Sequence, residues 1–171
     1  LDAVKAIDAA HEALPQWSRL PAYRRSNYLY GAYQLMMENK EHLAAVMTEE
    51  QGKPLKAALN EVQYGADFLL WFAEEAKRIY GETIPGHQPD KRITVIRQPI
   101  GVAAAITPWN FPNAMIARKA GPALAVGCPF ILKPASSTPV SSALNTSTPT
   151  TAVVIEPRTV AATIDRKHSS G

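Results

Sequence analysis

Apolar side chains recur at helical spacing through the first eighty residues. This pattern predicts one helix over residues 2–14, ended by Pro15, and a second that begins near Pro21 and continues to about residue 50. A third helix is predicted over residues 55–80, after a break in which Lys53 is interpreted as a solvated turn residue. The apolar positions that share a face within each helix are Val4, Ile7, Leu14, Leu29, Met36, Leu43, Met47, Val62, Leu69, Phe72 and Ala76.

Short apolar runs replace the helical period in the second half of the chain. Residues 83–90 are predicted to form a turn-rich connection, and residues 92–98 a strand. The runs 101–106 and 128–132 are typical of buried strands. Between them, residues 113–126 can form a helix, with Asn113 as its N-cap and Gly127 as its end. Strand, helix and strand together predict a βαβ unit with parallel strands.

The βαβ unit predicts where a ligand would bind. Loops 107–112 and 133–138 leave the carboxyl ends of the two predicted strands. In open parallel sheets, this edge is the one that binds ligands. We therefore expect Trp109, Asn110 and Lys133 on one ligand-facing rim.

Composition and charge exclude several classes of protein. The chain has 171 residues, of which 46% are hydrophobic and 19% charged, as in globular domains. Its formal net charge of +3 is spread along the chain, and no basic stripe or membrane-length apolar run is present. We therefore expect neither a nucleic-acid partner nor a membrane. The single cysteine suits a reducing compartment, so a cytoplasmic protein is expected. No metal site is predicted.

Six sequence blocks resemble one known family. In chain order they are EEQGKP, WFAEEAKRIYGETIPG, RQPIGV, ITPWNFP, RKAGPALAVGC and LKPASSTP. Together they resemble the aldehyde dehydrogenase superfamily, and most of all succinate-semialdehyde dehydrogenases, over residues 3–144. The resemblance implies an α/β fold. N-terminal helices are followed by the first βαβ part of a Rossmann-like, parallel-sheet NAD(P)-binding domain. Residues 1–144 are expected to form this partial domain, and residues 145–171 a divergent, irregular tail.

The resemblance also implies a reaction and a catalytic residue. Members of the family oxidise an aldehyde: a cysteine thiolate attacks the carbonyl, a hydride leaves for the nicotinamide, and a glutamate activates water. By this resemblance, the side-chain amide of Asn110 stabilises the oxyanion. From the residues alone, a buried structural asparagine is the favoured alternative.

Cofactor and substrate contacts follow from the same resemblance. NAD or NADP would be bound by Ile106, Thr107, Pro108, Trp109, Lys133, Ala135 and Ser136. Ser136 stands where NAD-preferring members often carry glutamate, which favours NADP or dual use. Phe111 and Met115 resemble residues that line the aldehyde tunnel, and Arg118 resembles an arginine that grips the distal carboxylate of a semialdehyde. The alternatives are simple packing for residues 106–109 and a surface ion pair for Arg118.

The catalytic set implied by the resemblance is incomplete in these 171 residues. Cys128 lies in an apolar run and is interpreted as an inert core thiol, not the nucleophile. Neither the nucleophilic cysteine nor the base glutamate of the family is present, so this chain alone is expected to be inactive and to hold half a cofactor site. The alternatives are a truncated, non-catalytic subunit that docks on a full-length relative or self-associates, and a helical bundle with an unrelated role.

Overall fold

A computed structural model describes residues 2–142 and 153–155. Four helices come first: α1 (Asp2–Arg19), α2 (Ala22–Glu38), α3 (Lys40–Gln51) and α4 (Leu55–Glu75), the last extended by a short 3₁₀ turn (Ala76–Arg78). Then follow β1 (Glu82–Pro85), β2 (Arg92–Val95), β3 (Ala103–Ile106), α5 (Pro112–Val126), β4 (Phe130–Lys133), α6 (Pro139–Ser142) and β5 (Val153–Ile155). Among the described residues, no helix is long and apolar enough to cross a membrane.

Helix α4 is the centre of the helical part and packs against α2, α3 and α5. Small residues let the helices approach closely. A Cβ atom on Gly121 of α5 would lie 2.8 Å from the Cδ2 atom of Phe72 on α4, closer than carbon atoms normally pack. The core around α4 is made of aliphatic, aromatic and alanine side chains, including Trp17, Leu29, Met47, Val62 and Ile116.

The predicted βαβ unit is confirmed. Strands β3 and β4 are parallel, with Ile106 opposite Lys133, and α5 connects them. Gly127 ends α5 in a left-handed conformation (φ 99°), as the sequence predicts. Strand β5 adds an antiparallel neighbour to β4, so β3 is an edge in the described sheet. The fold is therefore a helix-rich α/β arrangement with a small parallel sheet, as expected.

Two helix predictions are wrong, one at its end and one in its middle. Helix α1 does not stop at Pro15 but continues to Arg19. A proline inside a helix removes one hydrogen bond, which here is compensated by the burial of Trp17 two residues later. The second predicted helix is divided at Asn39, where the side-chain amide donates to the carbonyl of Leu35 (2.7 Å) and so competes with the regular helical bonding.

The buried face of α1 is also not the one expected. Val4 and Ile7 are exposed, whereas the small residues Ala6 and Ala10 are fully covered. These alanines pack against Ile131 of β4, because only a face of small side chains lets the helix axis come close to the sheet. Hydrophobicity alone thus selects the wrong face of this helix.

Three further differences concern the strands. Residues 82–85, predicted to lie largely in a turn-rich connection, form β1, which pairs with β2 in an antiparallel hairpin with Glu82 opposite Val95. All residues of both strands are exposed. Both β3 and β4 were predicted to be buried. Strand β4 is buried, but β3 is not, since Ile106 is 82% exposed. Most of the predicted irregular tail over 145–171 lies outside the described residues; its residues 153–155 form β5.

Candidate functional site

The two predicted ligand loops begin side by side. The backbone amide of Thr107 donates to the carbonyl of Lys133 (3.1 Å), which extends the parallel pairing by one bond beyond β3 and β4. After that bond the two loops separate at the carboxyl edge of the sheet. We call this edge the rim, and it consists of residues 107–111 and 133–138.

Asn110 is exposed on the rim. Its neighbours Trp109 and Phe111 are also exposed, so three large or polar side chains in a row face away from the core. Pro108 is exposed too, and Thr107 is buried with no hydrogen-bond partner for its hydroxyl. The alternative of a buried structural asparagine at position 110 is therefore wrong, and the packing interpretation of residues 106–109 holds only for Thr107.

A glutamate from another helix caps the start of α5. Phe111 occupies the N-cap position and offers no side-chain hydrogen bond. Instead, the buried carboxylate of Glu61 on α4 accepts bonds from the backbone amides of Asn113 (3.0 Å) and Ala114 (3.5 Å). An anion at this position satisfies free amides and interacts favourably with the helix dipole. The predicted cap, Asn113, lies one residue inside the helix, and its side-chain amide is buried without a partner.

Lys53 connects this cap to Asn110. Its ammonium group forms an ion pair with Glu61 and donates to the backbone carbonyl of Asn110 (2.6 Å). It also lies 4.3 Å from the centre of the Phe111 ring, within range for a cation–π interaction. The interpretation of Lys53 as a solvated turn residue is therefore wrong, because most of its side chain is covered.

One feature of the sequence indicates the ion pair between Lys53 and Glu61, which the sequence analysis did not predict. The buried face of α4 includes Ala58, Val62, Gly65 and Leu69. Glu61 lies three residues after the first of these and four before the third, so it falls on the same face. A glutamate on an apolar helix face is rarely buried without a partner, and its position therefore called for a nearby cation.

The second rim loop is held differently. Among the described residues, the ammonium group of Lys133 donates only to the carbonyl of the adjacent Pro134 (2.8 Å). Ala135 is half-buried and Ser136 is exposed in the turn that follows. Glu50 on α3 then accepts bonds from the amides of Val140 (2.8 Å) and Ser141 (2.7 Å) at the start of α6.

The predicted substrate residues lie on successive turns at the start of α5. Phe111, Met115 and Arg118 are spaced by four and three residues and so share one side of the helix. Met115 is half-buried and Arg118 is exposed, with its guanidinium 5.8 Å from the centre of the Phe68 ring on α4. Arg118 forms no ion pair with any described residue, which argues against the surface ion-pair alternative.

Cys128 lies away from the rim and is 2% exposed, in agreement with the interpretation as a core thiol. It neighbours Arg25, whose Nε atom donates to the carbonyl of Ala125 (2.9 Å) near the far end of α5. Burial lowers the pKa of the Arg25 guanidinium, and Cys128 acts in the opposite direction. Among the described residues, no group of three or more histidine, cysteine, aspartate or glutamate side chains could hold a metal ion.

The sequence matches the model of the aldehyde dehydrogenase family over residues 1–164. The chain belongs to the aldehyde dehydrogenase family. This membership confirms the resemblance expected from the six sequence blocks. The match extends past residue 144, where the resemblance in the sequence was expected to end.

Individual relatives show which members of the family this chain is similar to. The chain is 66% identical over 138 residues to the glutarate-semialdehyde dehydrogenase of Pseudomonas aeruginosa, covering 81% of this chain and 29% of that one. It is 64% identical over 137 residues to the NADP(+) succinate-semialdehyde dehydrogenase of Escherichia coli, covering 80% and 28%. Among solved structures, an NADP-dependent enzyme of E. coli superposes with a TM-score of 0.81 at 57% identity, over 94% of this chain and 30% of that one. The chain thus spans less than a third of the length of each of these relatives.

Proposed function

We propose that this chain provides the oxyanion donor, one wall of the cofactor site and one wall of the aldehyde site of an NAD(P)-dependent semialdehyde dehydrogenase. The observation that carries the proposal is the exposed Asn110 on the rim, whose backbone carbonyl is held by Lys53 while its side-chain amide bonds to no residue that the structure describes. Family membership and the semialdehyde dehydrogenases among the relatives support it.

In the proposed reaction, Asn110 acts on the oxygen of the aldehyde. A thiolate from outside these 171 residues forms a bond to the carbonyl carbon, and the carbonyl electron pair moves to the oxygen. The amide N–H of Asn110 would donate to that oxyanion, for which an exposed, oriented donor is needed. Bound NAD(P)⁺ would supply the hydride acceptor, and water would release the acid.

The residues on the rim fit a nicotinamide cofactor in part. Lys133 offers an ammonium group whose one protein partner is a neighbouring carbonyl, and Thr107 offers a buried hydroxyl without a partner. The exposed Ser136 brings no negative charge near Lys133, which supports use of NADP as well as NAD. The pyrophosphate would need other donors, because Glu61 and Glu50 already occupy the starts of α5 and α6.

The proposed substrate is a semialdehyde with a distal carboxylate, most of all succinate semialdehyde. Arg118 is exposed, pairs with no acidic residue that the structure describes, and lies on the same side of α5 as Phe111 and Met115. An aldehyde that reaches Asn110 could therefore extend along two apolar side chains towards a guanidinium. Such a planar group binds carboxylates through two parallel hydrogen bonds.

A chimera tests the proposal. The matching 138-residue segment of the P. aeruginosa enzyme is replaced by the segment of this chain, and NADPH formation with succinate semialdehyde is measured. We expect an active chimera, and Asn110→Ala should lower its kcat by about 10²- to 10³-fold. The 171-residue chain alone should form no NADPH. An active chimera that tolerates Asn110→Ala would refute the role of Asn110, and an inactive folded chimera would refute the proposal.

A second candidate is a non-catalytic subunit that docks on a relative. It is favoured by β3, which is an edge strand of the described sheet and ends in the exposed Ile106. Unpaired strand edges readily pair with other chains. Co-elution of the 171-residue chain with the P. aeruginosa enzyme, lost in Ala104→Pro on β3, would support this candidate; two separate peaks would dismiss it.

A further inference from the structure

Lys53 has no task in the chemistry described so far, yet it is the side chain that touches the Asn110 backbone. It comes from the turn between α3 and α4, 57 residues before Asn110. Its ammonium group binds a buried carboxylate, a backbone carbonyl and an aromatic face at the same time. A lysine is an uncommon residue to cover so fully, since its charge and its flexible stem both favour solvent.

We propose that Lys53 and Glu61 act as a positioning pair that fixes the Asn110 backbone relative to the start of α5, and so aims the Asn110 side chain. This inference rests on the proposed function of Asn110. Neither residue is placed to touch substrate in this proposal. Both act through the backbone of residue 110.

The first component of the positioning pair is the buried carboxylate of Glu61. This carboxylate receives two amides of α5 and the ammonium group of Lys53. The α5 start and the Lys53 side chain are therefore tied to the same point on α4. Because α4 lies at the centre of the helical core, that point is rigid.

The second part is the contact from Lys53 to the loop. The Nζ atom lies 2.6 Å from the Asn110 carbonyl oxygen, so the bond is short and charge-assisted. The Asn110 peptide is otherwise exposed, and no described side chain other than that of Lys53 is hydrogen-bonded to its carbonyl. Without Lys53, the peptide could rotate, and the amide that serves the oxyanion would rotate with it.

The third part is the ring of Phe111, which lies 4.3 Å from the same ammonium group. The cation thus contacts the residue on either side of the Asn110–Phe111 peptide bond. One contact holds the carbonyl of this peptide unit and the other holds the side chain that follows it, so together they restrain the loop more than either would alone. The first substrate-lining side chain is positioned by the same group.

The contact itself is tested by NMR in the 171-residue chain. The carbonyl carbon shift of Asn110 is read through the amide of Phe111 in native protein and in Lys53→Met, Glu61→Gln and Lys56→Met. Lys56 is an exposed lysine on α4 and serves as the matched control. We expect the shift to move in the first two variants and to stay in the control. An unchanged shift in Lys53→Met would overturn the inference, whether or not the chain is part of an enzyme.

The effect on catalysis is tested in the chimera. A misplacement of about 1 Å can cost about 10²-fold, so Lys53→Met should lower kcat by about 10- to 100-fold while the KM for NADP changes little. Lys53→Arg should recover part of the loss, and Lys56→Met should lose nothing. A merely structural role would lower thermal stability and the fraction of active molecules, but kcat per folded molecule, with the folded fraction measured by circular dichroism, would then be unchanged.

A double-mutant cycle decides whether Lys53 acts through Asn110. In an Asn110→Ala background, Lys53→Met should cost nothing further in kcat, because the group that it positions is absent. Additive losses would overturn the inference. If Asn110→Ala lowers kcat but Lys53→Met does not, the positioning role fails and the proposed function of Asn110 stands. If neither matters in an active chimera, the proposed function fails as well.

Discussion

The two loops of the rim leave neighbouring parallel strands, and each leads into a helix whose first amides are bound by a distant glutamate. Glu61 serves α5 and Glu50 serves α6. Among the described residues, only the first of these carboxylates forms an ion pair, with Lys53. The second loop has a lysine of its own, Lys133, which binds a neighbouring carbonyl and pairs with no carboxylate in the described part of the chain.

Under the proposed function, this difference would separate a loop that is fixed in advance from a loop that keeps a charge for a ligand. In the first loop, charge is neutralised inside the protein and orients a peptide. In the second, the half-buried Lys133 binds a neighbouring carbonyl, and under the proposed function its charge would attract an anionic group. A stabiliser of a transition-state charge must be oriented before the reaction, whereas a binding site may complete itself with the ligand.

The largest expected difference is in stability. Glu61→Ala leaves the covered ammonium of Lys53 without its anion and removes a cap, so it should cost about 3–5 kcal/mol. Glu50→Ala removes only a cap and should cost about 1 kcal/mol. Urea unfolding of the 171-residue chain, followed by circular dichroism, measures both, with the exposed Glu49→Ala as control. Equal losses for Glu61 and Glu50 would mean that the ion pair adds nothing to the first loop.

The sequence pattern was sufficient to locate the strands and the helix that flank these loops. It was insufficient to predict the side chains that hold the loops in place. Proline and glycine residues at the ends of β3, α5 and β4 located these elements to within a few residues, because such residues act on the local backbone. The Lys53–Glu61 pair joins a turn to a helix, and its third partner, Asn110, is 57 residues away from Lys53. No local rule predicts such a contact. The residue pattern placed Asn110 on the ligand-facing rim but favoured a buried structural role for its side chain, and only the family resemblance implied a role as oxyanion donor.

The face of α1 shows a second limit of sequence reasoning. Its larger apolar residues, Val4 and Ile7, are exposed, and alanines make the contact with β4. Hydrophobicity ranks valine and isoleucine above alanine, but the distance between a helix and a sheet depends on side-chain size. Which face is buried was therefore decided by the partner surface, which the sequence pattern of α1 does not contain.

The second expected effect lies on the α5 side of the rim and concerns substrate choice. In the chimera, Arg118→Leu should lower kcat/KM for succinate semialdehyde by about 10- to 100-fold, the range for loss of a hydrogen bond to a charged group. For butanal, which has the same number of carbons and no carboxylate, kcat/KM should stay or rise. Arg118→Lys should be intermediate, since it keeps charge without the planar fork. Parallel losses for both aldehydes would mean that Arg118 supports the fold of the site and does not select the substrate.

The smallest expected effect tests whether the second loop keeps its charge for the cofactor. Ser136→Glu places a carboxylate near Lys133, where it can pair with the ammonium and repel the 2′-phosphate of NADP. At distances of a few ångströms near the surface, this should amount to about 1–2 kcal/mol, or about tenfold in the ratio of kcat/KM for NADP to that for NAD. Ser137→Glu adds the same charge at the next exposed position and is the matched control. If both variants shift the ratio equally, the general charge of the loop, and not a contact at residue 136, determines cofactor preference.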